Sequence, residues 1–199
     1  QVAQGAHDTA TRDHALAQVV AATDRATRLV EQLLTLARLD PQERLPAAAD
    51  VDLAALAANV LADESTRAAA KKIDVALRAP APAIVRGDAT MLGVMLRNLV
   101  DNALRYTPDG GRVRVRVATD SGAAVLEVSD NGPGIPSAER GRVFERFYRV
   151  TGTGQSGSGL GLSIVRRIVE LHGAVVALDD GPRGHGLTVR VQFPTAKRT

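Results

Sequence analysis

The sequence predicts an α+β fold, a helix layer packed against a mixed sheet and preceded by the remnant of a helical hairpin. Three observations carry this prediction. Residues 13–40 repeat apolar side chains at alternating spacings of four and three, as a helix requires. Beyond Pro46, stretches that alternate with period two are interleaved with apolar helical stretches. A glycine-rich stretch from about Asn131 to Gly159 then interrupts the pattern just before one more helix.

The elements follow in order. In the first helix, Leu16, Val20, Thr23, Thr27, Val30, Leu34 and Ala37 form one stripe, and Val19, Ala22, Ala26, Leu29, Leu33 and Leu36 form another beside it. The doubled stripe is too wide for a two-stranded seam and suits a four-helix bundle. Gln1–Gly5 reads as the tail of an earlier helix, with the turn between the two at Gly5–Arg12. The long helix ends before Pro41 in a polar linker. A short strand closes at Val51, and Asp52 caps a helix running to about Ala70. Lys72–Arg78 and Ala83–Arg86 read as strands, and Asp88 caps an apolar helix to about Tyr106. Arg112–Ala118 and Ala123–Asp130 read as strands, the first presenting its arginines on a solvated outer face. A helix from Leu160 to His172, stopped by Gly173, precedes strands near Val175–Leu178 and Leu187–Phe193. The expected division is residues 1–45 for the helical part and 46–199 for the mixed domain.

Composition excludes several function classes. At 199 residues with 45% hydrophobic and 24% charged side chains, the chain is globular rather than disordered. It has no cysteine, so disulfides, thiolate metal sites and cysteine nucleophiles are absent. Aromatics are only 3% and the lysines and arginines are scattered among nearly as many acids, so no nucleic-acid partner is expected. His7, His14, His172 and His185 lack metal-ligand spacing. No apolar run approaches the roughly 18 residues of a membrane span. The chain opens on Gln1 rather than Met, so a longer parent protein is expected.

Three short segments could carry chemistry. In Asn98-Leu-Val-Asp-Asn102-Ala-Leu-Arg105-Tyr106-Thr-Pro, the two asparagines share a helix face with Arg105 one turn on. Their amide oxygens are hard donors suited to Mg²⁺, Arg105 can reach a phosphate, and Tyr106 can lie against a base. The competing account is that both amides bond nearby backbone. In Asp130-Asn-Gly132-Pro-Gly134-Ile135, the glycines would let backbone approach a flat ligand while Asp130 accepts from an exocyclic amine such as that of adenine. The same residues also describe an ordinary Asp turn. Gly157-Ser-Gly159-Leu160-Gly161 opens a helix, where free N–H groups can cradle phosphate. It matches neither a dinucleotide fingerprint nor a Walker A loop, and a plain linker is the alternative.

In this order and spacing, the three segments resemble the N box and the two glycine boxes of the ATP-binding domain of two-component sensor histidine kinases. That domain belongs to the GHKL group, with type II topoisomerases, Hsp90-type chaperones and MutL-type repair ATPases. Val143–Arg149 resembles the F box, Gly184-His-Gly186-Leu-Thr188 the last glycine-containing strand, and Leu33–Asp40 the second arm of the dimerisation hairpin. The resemblance implies a two-layer α+β sandwich of the Bergerat type, with a mostly antiparallel sheet.

It further implies ATP and Mg²⁺ as cofactors. Asn102 would bind Mg²⁺ with Asn98 in support, Arg105 would contact phosphate, and Tyr106 would pack on the adenine or ribose. Asp130 would recognise the adenine amine in a pocket shaped by Gly132, Gly134 and Ile135, with Thr188 beside it. Gly157, Gly159, Leu160 and Gly161 would line the phosphates, with Arg146 and Arg149 reaching the triphosphate. Hydrolytic relatives place Glu four residues before the metal Asn, where this chain has Asn98, so water attack is disfavoured and kinase chemistry favoured. Asn98, Arg105 and Arg149 would serve the transfer itself.

The family's His box is absent. His7-Asp-Thr-Ala-Thr11 imitates its spacing, but Arg12 stands in place of proline and His7 falls in the expected turn. The acceptor His is therefore expected upstream of Gln1, and self-phosphorylation of this chain is not. His14 reads as a solvated helix residue and His172 as structural. The implied partners are a response-regulator receiver domain and a second copy in the full-length protein. The implied location is the cytoplasmic part of an inner-membrane sensor, its membrane segments lying upstream. A GHKL-type protein serine kinase, a vestigial nucleotide-binding module and a hydrolytic ATPase are the alternatives.

Overall fold

A computed structural model describes residues 2–39, 48–150 and 157–194. Two compact units divide at Arg38/Leu39.

The first unit is a single helix, α1 (Val2–Leu39). The turn expected at Gly5–Arg12 does not form. One glycine in a helix interior costs only about 1 kcal/mol, and no proline is present to break the hydrogen-bond ladder. His7 therefore lies within a helix rather than in a turn, so that ground for setting it aside falls; its side chain lies outside the described residues. Members of both apolar stripes are exposed, among them Leu16, Val19, Val30 and Leu34. His14 is also exposed, with Gln18 Nε2 at 2.9 Å from its Nε2.

The second unit begins with β1 (Ala49–Asp52), whose last residue caps α2 (Leu53–Asp63) by accepting from Ala54 N at 2.9 Å. The helix expected to continue to Ala70 breaks at Glu64, and α3 (Ser65–Ala70) follows. Asp63, Ser65 and Thr66 cluster at the break, and such side chains compete for backbone bonds. After β2 (Asp74–Arg78) and β3 (Ile84–Gly87), Asp88 caps α4 (Ala89–Tyr106) through Met91 N at 3.0 Å. β4 (Arg112–Asp120), β5 (Ala123–Asp130), α5 (Gly161–Leu171), β6 (Val175–Asp180) and β7 (Leu187–Gln192) complete the domain.

The main sheet has the order β2-β4-β5-β7-β6, with β2 parallel to β4 and every other pair antiparallel. β1 and β3 pair apart from it. Period-two alternation turns Val113, Val115 and Val117 of β4, and Leu126 and Val128 of β5, to one face. There α4 lies on β5, flanked by α2 over β4 and by α5 over β6. The buried side chains of α4 include Leu92, Met95, Leu96, Leu99, Val100, Ala103 and Leu104, a stripe of helical period. The result is a two-layer sandwich, as expected. Among the described residues, no helix is long and apolar enough to cross a membrane.

His172 closes α5 as a structural residue, and a neutral one. Its Nε2 accepts from Asp88 N at 3.1 Å, so the ring proton sits on Nδ1, which donates to Ile168 O at 2.7 Å. Gly87 leaves room for it: a Cβ there would lie 2.7 Å from His172 Cδ2. Burial lowers the pKa of His172 below the usual histidine value, against the bond to Ile168 and the charge of Asp88. The unfolded state then takes up a proton near pH 6.5 before the folded state does, so stability falls as pH drops below that value. Urea midpoints measured from pH 7.5 to 5.0 should fall, and His172→Gln should flatten that part of the slope.

Candidate nucleotide site

The candidate residues gather where the end of α4, the end of β5 and the start of α5 meet. On α4, Asn98 and Asn102 face the first residue of α5. A Cβ on Gly161 would lie 3.2 Å from Asn98 Oδ1, 3.3 Å from Asn102 Nδ2 and 3.5 Å from Asn102 Oδ1. Asn98 commits its Nδ2 to Val94 O at 2.8 Å and so turns its oxygen toward that glycine. Two amide oxygens beside a bare Cα are a donor set that suits a small hard cation, which would complete its shell with water and phosphate oxygens.

No side chain caps α5. Its N-cap is Leu160, fully buried, whose own N–H is taken by Ser158 Oγ at 3.2 Å. The first-turn N–H groups of a helix have no partner in its own ladder, and here they open beside the two amides. One turn further along α4, Arg105 and Tyr106 meet the preceding loop. A Cβ on Gly157 would lie 2.8 Å from Arg105 Nη1 and 4.0 Å from the Tyr106 hydroxyl.

Arg105 is held from behind. Its Nη2 donates to Asp101 Oδ2 at 2.7 Å, and the other oxygen of Asp101 takes Arg67 of α3. The C-terminal turn of α4 is closed by Lys71, whose Nζ donates to the carbonyls of Leu104, Arg105 and Thr107 at 2.8, 3.2 and 2.6 Å. A cation on the last carbonyls both satisfies them and matches the helix dipole. Sequence reading missed Lys71 and Arg67, which lie more than 30 positions from their partners. Asp101 was legible as the (i, i+4) partner of Arg105.

Asp130 ends β5 on the core side of the sheet, two residues on from Val128 and four from Leu126. It is buried, and accepts backbone bonds from Gly132, at 2.8 Å, and from Leu187. Burial raises its pKa above the ordinary aspartate value, against those two bonds. The glycines around it are sterically required. A Cβ on Gly132 would strike Tyr106 O at 2.7 Å, and one on Gly134, at φ +74°, would strike Gly186 O at 2.6 Å. Gly186, at φ +87°, passes so close to Asp130 that a Cβ would sit 1.9 Å from its carbonyl oxygen. Ile135 is half-buried at the end of this turn, its carbonyl accepting from Arg140 Nε at 3.1 Å.

Thr188 is a correction. It was expected beside Asp130, yet its hydroxyl lies 2.9 Å from that of Ser129 on the opposite face of the sheet. The register pairs Ser129 with Thr188 and Val128 with Val189, so parity sends Thr188 away from the carboxylate. The backbone N–H of Leu187 takes the place beside Asp130.

The F-box segment joins the second glycine box through its backbone. Phe147 N donates to Gly159 O at 3.0 Å, and a Cβ on Gly159, at φ +72°, would lie 2.6 Å from the Phe147 carbonyl carbon. Phe147 itself is held at φ +65°, a conformation that side-chain-bearing residues rarely adopt and that functional loops retain. Arg146 and Arg149 are exposed on this segment. Residues 151–156 lie outside the described part.

Residues 87–197 match the family described as histidine kinase-, DNA gyrase B-, and HSP90-like ATPase. The chain is 44% identical to the sensor protein kinase PmrB of Pseudomonas aeruginosa over 98% of its own length and 41% of the relative's. It thus spans about two fifths of the curated relatives it matches. Among solved structures it is similar to the mycobacterial sensor histidine kinase MprB, at 37% identity and TM-score 0.65, over 74% of this chain and 97% of that one. It is also similar to full-length ShkA in complex with AMPPNP, at 31% identity and TM-score 0.75, over 86% of this chain and 36% of that one. With the matched segment covering both glycine boxes, the N box and all of α4, this chain belongs to the histidine kinase-, DNA gyrase B- and HSP90-like ATPases and, within them, to the sensor histidine kinases.

Proposed function

We propose that the chain binds Mg-ATP and, in its parent protein, passes the γ-phosphoryl group to a histidine for relay to a receiver-domain aspartate. The observation that carries this reading is the meeting of Gly161 with both asparagine amides while Gly157 meets Arg105 and Tyr106. It is the site of a polyphosphate and its cation rather than a turn or a linker. Similarity to a kinase solved with an ATP analogue supports it.

In this reading Asp130 accepts from the adenine amine, and Tyr106 covers the base or ribose. The N–H groups opening α5, with Arg105, hold the phosphates, and Asn102 with Asn98 holds Mg²⁺. The cation, when bound, neutralises the charge that develops on the phosphate oxygens. The histidine nitrogen bonds to the γ-phosphorus, the bond from that phosphorus to the β,γ-bridging oxygen breaks, and ADP leaves. The chain's own work is alignment and charge stabilisation. An amide at Asn98 cannot take a proton from water, which reserves the phosphoryl group for the histidine. Arg146 and Arg149 reach the triphosphate from the lid, and Arg149 joins Asn98 and Arg105 in the transfer. Gly132, Gly134, Ile135, Gly159 and Leu160 shape the walls.

The acceptor lies on another segment of the parent, since the His-box pattern is missing here. The exposed stripes of α1 dimerise with a second copy, and the chain works in the cytoplasm below an upstream membrane anchor. Calorimetric titration with AMPPNP tests the central claim: saturable binding with Mg²⁺ is expected, and Asn102→Ala should weaken it about tenfold or more and blunt its Mg²⁺ dependence. No binding by the unaltered chain defeats the reading. Acid-labile labelling of the chain by ATP, lost in His7→Ala, defeats the placement of the acceptor.

A further inference from the structure

The guanidinium of Arg105 has two ends with different surroundings. Nη2 rests 2.7 Å from Asp101 Oδ2, while Nη1 points at the loop, 2.8 Å from where a Gly157 Cβ would stand. Asp101 in turn divides its oxygens, Oδ2 to Arg105 and Oδ1 to Arg67 Nη1. Arg67 reaches back to Glu64 at 3.5 Å. Four charges of alternating sign thus run from the junction of α2 and α3 to the phosphate loop.

Asp101 and Arg105 side chains are only 21% and 22% exposed, so the pair between them is largely shielded from water. A lone (i, i+4) pair on a helix surface leaves both side chains free to turn. Here the second arginine, arriving from α3, takes the remaining carboxylate oxygen and removes that freedom. Once one nitrogen of an arginine is fixed at a carboxylate, the directions of its other nitrogens are set as well, because the fork is planar and rigid.

We infer that Asp101 and Arg67 are positioning residues that aim Arg105 Nη1 at the phosphates bound by the Gly157–Gly161 loop. This rests on the nucleotide reading above. Without the pair, Arg105 keeps its charge but must pay the entropy of ordering when nucleotide arrives. The adenine end, at Asp130 and Gly132, does not touch the relay, so the effect belongs to the phosphates alone.

The test titrates the 199-residue chain and its variants with two probes, AMPPNP by calorimetry and adenosine by NMR at millimolar concentration. Asp101→Asn and Arg67→Ala should each weaken AMPPNP about tenfold and leave adenosine unchanged within about twofold. Arg67→Lys should recover part of the loss. Asp101→Asn combined with Arg105→Ala should bind AMPPNP no more weakly than Arg105→Ala alone. Unchanged AMPPNP affinity in Asp101→Asn overturns the inference. So does a parallel loss of adenosine, which marks a merely structural role. If Arg105→Ala binds AMPPNP like the unaltered chain, the role of Arg105 itself fails. If the unaltered chain binds no AMPPNP, the nucleotide reading fails and takes this inference with it.

Discussion

Asp130→Asn is expected to weaken AMPPNP binding about 100-fold or more while the domain unfolds at the same or a higher urea concentration. The two halves of this result have one origin. Asp130 is buried and ionises against a desolvation cost, offset in part by the N–H groups of Gly132 and Leu187. An ionised carboxylate still has acceptor positions left for an incoming amine. In the variant, the amide oxygen is claimed by those same N–H groups, so the NH₂ faces the adenine amine donor to donor. Binding loses a charge-assisted bond and gains an unpaired buried group. Folding loses nothing and is relieved of a buried charge. The pH sign agrees. A folded-state pKa raised above 3.8 means that stability is lost as pH rises through the unfolded value and then levels off above the folded one. Asp130→Asn should remove that loss. A variant that binds like the original excludes Asp130 from base recognition; one that fails to fold shows that the carboxylate is structural.

Gly186→Ala should lower stability by about 3 kcal/mol and abolish nucleotide binding with it, because its Cβ has nowhere to go. The site would lie 1.9 Å from the carbonyl oxygen of Asp130, and the neighbouring contact is backbone rather than a side chain that can swing aside. Gly184 supplies the control. It shares the positive φ, at +77°, but a Cβ there meets nothing within 4 Å. Gly184→Ala should therefore cost only the left-handed backbone penalty of about 1–2 kcal/mol. Urea unfolding of both variants separates the two contributions. Equal costs would mean that the backbone conformation, and not the close approach to Asp130, is what Gly186 supplies.

Much of the fold was legible because its signals are local. Asp52 and Asp88 both cap helices as their place before apolar periodic segments predicts. The Arg-Val alternation of β4 puts valine inside and arginine out, and Gly173 does stop α5. Local reasoning failed where competing local forces are nearly equal. Gly5 reads as a turn signal, yet an Ala-rich helix absorbs it; the clustered Asp63, Glu64 and Ser65 read as helix, yet the chain breaks there. The structural reading of His172, by contrast, holds: burial and the bond its Nε2 accepts from Asp88 N keep it neutral.

By itself the sequence determined the order of most elements, the face each residue takes within its own element, and the place of the three boxes along the chain. Only the tertiary structure decided which faces meet. Thr188 has the right chemistry, but the register of β7 on β5 sends it to the wrong side and brings the Leu187 N–H to Asp130 instead. Lys71 and Arg67 carry no motif, and became parts of the site when α3 packed against the end of α4. Gly161 is far in the chain from Asn98 and Asn102, and meets them because a glycine lets α5 start against α4. A repeat in the sequence fixes direction within one element, whereas contact between elements depends on packing and register, which act through distance in space.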